Sequence, residues 1–169
     1  MPEFQQKLKL WYKTNKRDLP WRRTKDPYKV WLSEIILQQT RVEQGMSYYL
    51  KFIEAFPTIK DLANAKEETV LKLWQGLGYY SRARNLHAAA KQVVKDFSLS
   101  TSNNFPDTYE KIITLKGVGA YTAAAVSSIC FNEARAVVDG NVYRFIARVF
   151  GIKTPIDSTD GKKEFQQMA

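Results

Sequence analysis

The chain has 169 residues, 44% of them hydrophobic, which is enough to bury one core or a compact pair of lobes and excludes a disordered tail. Its 26 Lys and Arg against 17 Asp and Glu leave a formal charge of +9, a balance that favours a polyanionic partner, nucleic acid first. One Cys and one His exclude a zinc site, a disulfide framework and a histidine-based triad within these residues, so chemistry falls to carboxylates, hydroxyls, amides or lysines. No apolar run approaches membrane-spanning length and the N-terminus lacks a signal-peptide core. The expectation is a reducing, cytoplasmic location with no membrane partner.

Apolar residues recur at helical spacing and no convincing strand alternation is present, so the fold is predicted to be all-α. Phe4, Leu8, Trp11 and Tyr12 mark a first helix. A second is expected from about Tyr28 through Gln44, and a third carries Tyr49, Phe52, Ile53 and Phe56 before Pro57 stops it. Thr58 with Asp61 has the spacing of a capping box. Val70, Leu71 and Trp74 lie on a short helix, and Leu86, Ala89, Ala90, Val93, Val94 and Phe97 trace the stripe of a longer one. Ser98 to Asn104 reads as a loop. Asp107 and Glu110 suggest a second capping box, opening a helix that ends near Leu115, after which Gly117-Val118-Gly119 turns the chain into an Ala-rich helix. Ala136 to Val138 reads as extended, and Asp139 opens a helix with Val142, Ile146 and Val149 on its inner face. Asp160 to Ala169 reads as a helix that starts and is interrupted, as in a piece of a longer chain.

Two carboxylates stand out. Glu34 has Val30, Trp31, Leu37 and Gln38 as its helical neighbours, three of them large and apolar. Two readings stand for it: a stripe-edge Glu whose head reaches water, or a partly buried group that desolvation keeps protonated, as a general acid requires. Asp139 reads locally as a helix N-cap, a role compatible with an ionised carboxylate that stabilises a nearby cation. A pair with opposed environments suits glycosidic cleavage.

Gly117-Val118-Gly119 follows a helix and has Thr122 where a dinucleotide fingerprint needs its third small residue, so that reading is rejected. Gly76-Leu77-Gly78 is rejected likewise, and neither turn carries a phosphate-loop Lys. A glycine hairpin feeding a helix N-terminus instead presents backbone N–H groups that can hold a DNA phosphate. Trp21-Arg22-Arg23, Arg41, Tyr79-Tyr80, Arg82 and Arg84 interleave aromatic and basic residues in a manner suited to stacking and phosphate contact. Cys130 follows the small apolar run Ala123 to Ile129 and reads as a packed core thiol.

Taken together, Leu19-Pro20-Trp21-Arg22, the run Pro27 to Glu34 continuing into Leu37-Gln38-Gln39-Thr40, Leu73 to Tyr80, Arg82 to His87, Leu115 to Gly119 and Val138 to Val142 resemble the adenine DNA glycosylases of the MutY type, within the helix-hairpin-helix DNA glycosylase superfamily. The resemblance covers nearly the whole chain. It implies a base-excision repair hydrolase that cuts the N-glycosidic bond of adenine mispaired with 8-oxoguanine or guanine in double-stranded DNA. In it Glu34 protonates the leaving adenine, Asp139 stabilises the oxocarbenium-like sugar, and Tyr121 and Asn141 support that site. Arg17, Trp21, Arg22 and Trp31 are expected around the base. Gln39 and Tyr79 would wedge into the duplex, with Thr40, Arg82, Arg84, Gly117, Val118, Gly119 and Thr122 on the DNA-binding face.

The resembling family's endonuclease III-type relatives use a lysine nucleophile where Tyr121 stands here, which argues for a monofunctional glycosylase. Those glycosylase/lyases and a non-catalytic helix-hairpin-helix DNA-binding module are the alternatives. The family also carries a 4Fe-4S cluster, whose cysteine ligands would lie beyond residue 169, so no metal or cofactor is expected on these residues. Residues 1–20 are expected to belong to a second, cluster-side lobe, residues 21–150 to form a six-helix catalytic lobe and residues 151–169 to begin an incomplete return segment. The complete protein is expected to be monomeric. Phe4, Leu8, Trp11, Tyr12 and Phe165 are expected to remain partly uncovered.

Overall fold

A computed structural model describes residues 2–97 and 105–169, so the loop reading of Ser98 to Asn104 lies outside the described residues. The described residues are helical and contain no strand. Their elements are α1 (Pro2–Asn15), a 3-10 turn (Pro20–Arg22), α2 (Pro27–Ile36), α3 (Val42–Ala55), α4 (Ile59–Asn64), α5 (Glu67–Trp74), α6 (Ser81–Phe97), α7 (Tyr109–Ile112), α8 (Ala120–Phe131), α9 (Gly140–Phe150) and α10 (Thr159–Met168). None of these helices is long and apolar enough to cross a membrane.

The core is built around α2, which packs on α3, α6 and α8. Asp26 starts it by accepting bonds from the backbone N–H groups of Tyr28 and Lys29 at 3.0 and 3.3 Å, with Pro27 as the first helical residue. Eight of its ten residues are buried. The long helix expected from Tyr28 to Gln44 is two helices, because α2 ends at Ile36 and α3 begins only at Val42. Between them Gln39 takes a left-handed backbone, φ 55°, which costs a side-chain-bearing residue about 1–2 kcal/mol. Neither Gly nor Pro marks this break. A guanidinium from far along the sequence supplies the cap: Arg82 Nη1 lies 3.1, 3.2 and 2.5 Å from the carbonyl oxygens of Ile35, Ile36 and Gln38.

The Thr58–Asp61 capping box forms as read, with Thr58 N–H donating to Asp61 at 2.9 Å and Asp61 N–H to the Thr58 hydroxyl at 3.3 Å. The second box does not. Thr108, not Asp107, caps α7 and accepts from Lys111 N–H, leaving Asp107 to pair with the Lys111 ammonium at 2.8 Å. Glu110 pairs with Arg135 instead.

The hairpin before α8 sits directly on α6. Gly117 has φ 76°, and a Cβ there would lie 2.6 Å from Asn85 Cβ, so both the turn and the contact require glycine. Gln92 accepts from Lys116 N–H at 3.2 Å and donates to Thr114 O at 3.3 Å, bracketing the turn from below.

The last two helices are more lightly built. Ala136 to Val138 runs without regular structure into α9, where Ile146 alone is buried; Val149, expected on the inner face, is exposed. Phe165, expected to be partly uncovered, is fully buried, because α10 folds back onto α9 and sets the Phe165 ring 5.0 Å from Tyr143. Gly161 allows that return, since a Cβ there would lie 2.0 Å from Pro155 O. α1 meets α9 through Phe4, whose ring is 5.9 Å from Phe145 and 5.7 Å from Phe150. Leu8, Trp11 and Tyr12 are exposed, as expected.

Candidate active site

A cavity of about 520 Å³, within the usual span for ligand pockets, opens between the segment before α2, α2 itself and the first turn of α8. Arg17, Trp21 and Arg22, read as base-contacting residues, all stand in its wall, with Glu34 on the α2 side and Tyr121 on the α8 side. Trp21 is nearly buried and meets Tyr49 edge-on at 5.0 Å, which fixes that wall. Glu34 is half-buried. Burial pushes its carboxyl above the ordinary value of 4.5, and the positive charge of Arg22 acts against that push. This is the environment of a carboxylic acid poised to donate a proton, next to a cation that keeps its ionised form accessible.

Asp139 arrives from a different part of the fold. One of its oxygens accepts from Asn141 N–H at 3.0 Å and Val142 N–H at 2.8 Å, and the other accepts from the Asn141 side-chain amide at 3.3 Å. The carboxylate is thus both the N-cap of α9 and held in a fixed orientation. Tyr121 stands in the cavity wall with Glu34. Its phenol, 47% exposed, has a raised pKa, first through burial and then through the negative fields of both Glu34 and Asp139. Glu34 and Tyr121 thus line the cavity, whereas Asp139 is not in its wall and reaches Tyr121 only through its field. Among the described residues no lysine lines this cavity.

The wedge candidates stand at two strained turns. Gln39, φ 55°, and Tyr79, φ 45°, are both left-handed and both exposed, Tyr79 at 67%. Gly76 (φ 100°) and Gly78 (φ 70°) flank the second turn, and the Trp74 indole N–H donates to Gly78 O at 2.9 Å. Thr40, half-buried, donates its hydroxyl to Gln38 O at 3.2 Å. Arg84 is exposed and lies 3.7 Å from Glu67. Gly119 caps α8, whose first N–H groups have no partner within the helix, the arrangement a phosphate uses.

Several expected site residues lie elsewhere. Trp31 is wholly buried, 5.7 Å from the Phe105 ring, in the wall of a smaller cavity of about 100 Å³ beside Arg82, Lys116 and Gly117. It lies beneath the site and not against the larger cavity, because α2 turns that face inward. Thr122 is buried in the first turn of α8 and Val118 is nearly so, which leaves contact at the hairpin to backbone groups. Arg82, read as a DNA contact, has its guanidinium turned inward onto backbone carbonyls. Missed were Tyr12, Thr24 and Ile129, along with the apolar Leu19, Val30, Leu37 and Val42 and the Gln38 amide, which complete the cavity wall. Tyr12 closes the apolar stripe of α1, and nothing local distinguishes it from its neighbours there.

The family model described as HhH-GPD superfamily base excision DNA repair protein matches residues 32–168. The chain belongs to this superfamily. Over 150 residues this HhH-GPD chain is 44% identical to the adenine DNA glycosylase of Buchnera aphidicola subsp. Acyrthosiphon pisum (strain APS), a match covering 88% of the chain and 42% of that protein. The adenine DNA glycosylase of Homo sapiens is 44% identical over 165 residues, covering 92% of the chain and 30% of that protein. The chain thus spans less than half the length of these curated relatives. Among solved structures, a thermostable thymine-DNA glycosylase superposes with a TM-score of 0.82 at 30% identity, covering 94% of the chain and 71% of the other.

The cluster that the resemblance implies does not fit the residues present. Cys130 is a single, half-buried thiol pushed up to about 12 by burial, far from the several thiolates a cluster requires. No step below passes through it.

Proposed function

We propose that these residues form the catalytic part of an adenine DNA glycosylase that hydrolyses the N-glycosidic bond of adenine mispaired with 8-oxoguanine or guanine. The observation that carries this reading is the pairing of Glu34 and Tyr121 across the 520 Å³ cavity, with the negative field of Asp139 also reaching the Tyr121 phenol. A stacked adenine is out of reach, so the nucleotide must leave the duplex and enter the cavity between the Trp21 side and the Tyr121 side. Glu34, whose proton affinity burial raises, donates its proton to the ring nitrogen as the C1′–N bond breaks. The electron pair of that bond leaves with the base. Asp139, held by two backbone N–H groups and the Asn141 amide, faces the positive charge that develops on the sugar. Water then adds to C1′ and gives its proton to the ionised Glu34, restoring the acid.

Tyr121 stands where the resembling lyases place their nucleophilic lysine, and no lysine lines the cavity among the described residues, both of which support simple hydrolysis. The 44% identity to adenine-specific relatives, against 30% to the thymine-DNA glycosylase, supports adenine as the base. The test is duplex DNA with adenine opposite 8-oxoguanine or guanine, incubated with the chain and scored before and after alkali. An intact strand that breaks only after alkali is expected. A borohydride-trapped covalent adduct, or breakage without alkali, would overturn the hydrolytic assignment.

A further inference from the structure

Arg82 occupies an unusual place. It sits in the first turn of α6, where the positive end of the helix dipole disfavours a cation, and it has no carboxylate partner among the described contacts. Its fork instead reaches two other elements. Nη1 lies 3.1 and 3.2 Å from the carbonyl oxygens of Ile35 and Ile36 at the end of α2 and 2.5 Å from that of Gln38, while Nη2 donates to Leu77 O at 3.3 Å. α2 has no basic residue in its own last turn, so Arg82 supplies the charge that the helix end favours. The guanidinium carbon also lies 5.1 Å from the Trp74 ring centre and 5.8 Å from that of Tyr79. The backbone repeats the link, with Arg82 N–H donating to Tyr79 O at 2.9 Å.

We infer that Arg82 is a positioning residue that locks the Gln39 turn and the Tyr79 turn to each other, so that the two exposed side chains enter a duplex as one rigid wedge. The inference rests on the base-extruding function proposed above. Gln39 and Tyr79 are, with the Asn132 cap of α8, the left-handed side-chain-bearing residues among those described; they are 40 residues apart in sequence, and one side chain bonds Gln38 O next to the first and Leu77 O in the turn that leads to the second. A lysine cannot replace it: its ammonium offers a point charge where two carbonyl sets need a planar fork. The role differs from a phosphate contact, which would leave the fork free and respond to charge alone.

The test compares Arg82→Lys and Arg82→Met with the unsubstituted chain in two ways. Hydrogen exchange on the DNA-free protein reads the lock directly. In both variants the amides of residues 37–40 and 77–80 should lose protection together while the centres of α2 and α6 keep theirs. With duplex carrying 2-aminopurine opposite guanine, the extrusion fluorescence should fall at least about tenfold in both variants, and the salt dependence of DNA binding should keep its slope. Arg82→Lys, which retains the charge and changes least, covers the case in which Arg82→Met fails to fold. Overturning results are protection unchanged in both turns, or near-normal extrusion by Arg82→Lys with a salt slope reduced by about one in Arg82→Met, the mark of a phosphate contact. Absence of extrusion by the unsubstituted chain would sink the functional reading, and hydrogen exchange would still decide the lock.

Discussion

Glu34, in the cavity wall, and Asp139, whose field reaches Tyr121 on that wall, stand in regions built in opposite ways. Around Glu34, α2 has eight of ten residues buried and lies against three other helices. Around Asp139, α9 has one buried residue among eleven, and its position relies on the aspartate cap, on Ile146, and on rings contributed by α1 and α10. The dense region produces the raised pKa, because desolvation needs surrounding apolar atoms. The light region fixes the orientation of its carboxylate by hydrogen bonds, which need little core. The proton affinity of one carboxylate is therefore set by packing density, and the orientation of the other by capping.

The largest stability difference should separate those two regions. Ile36→Ala, in the dense one, should cost about 2–5 kcal/mol in urea unfolding, whereas Val149→Ala on exposed α9 should stay within about 0.5 kcal/mol. Equal costs would erase the comparison. On the Asp139 side, Asp139→Asn should lower single-turnover excision about 10²–10³-fold with little loss of stability, since asparagine caps a helix about as well as aspartate. A stability loss matching the rate loss would reduce Asp139 to a structural cap.

Smaller effects sharpen the same contrast. Thr108→Ala should cost about 1 kcal/mol as a lost cap, and Asp107→Ala, which removes only an exposed ion pair, should stay within about 0.5 kcal/mol. For Glu34 the sign follows from its raised pKa. Above pH 4.5 the folded protein keeps a proton that the unfolded chain has lost, so this residue's contribution to stability falls as pH rises until the folded pKa is passed. Glu34→Gln has no such loss, and its stability relative to the unsubstituted chain should grow between pH 4.5 and neutrality, read by denaturation at a series of pH values. A gap that does not change with pH would mean that Glu34 is solvated.

Much of this arrangement is legible locally, and what is not depends on distant partners. Thr58–Asp61, the Asp139 cap and the glycine hairpin are written in adjacent residues, and each forms where its chemistry says. The break after Ile36 is not, because its cap, Arg82, lies more than 40 residues away and the apolar pattern runs on through Leu37. Thr108 and Asp107 are equivalent by type, and only the backbone decides which one caps α7. Phe165 looked uncovered because the return of α10 depends on the close approach at Gly161, which periodicity does not encode. Glu34 was ambiguous between a stripe-edge residue and a buried acid, since helical spacing gives a face but not the depth of what covers it. Trp31 was drawn to the site by its position one turn from Glu34, yet it faces Phe105.

The most direct test of two differently set acids serving one bond is single-turnover excision by Glu34→Gln beside a binding measurement on the same adenine-containing duplex. The substitution conserves shape and removes the transferable proton. DNA affinity within about twofold of the unsubstituted chain, with excision lowered by at least about 10²-fold at every pH, is the expected result. Near-normal excision by Glu34→Gln would contradict the account.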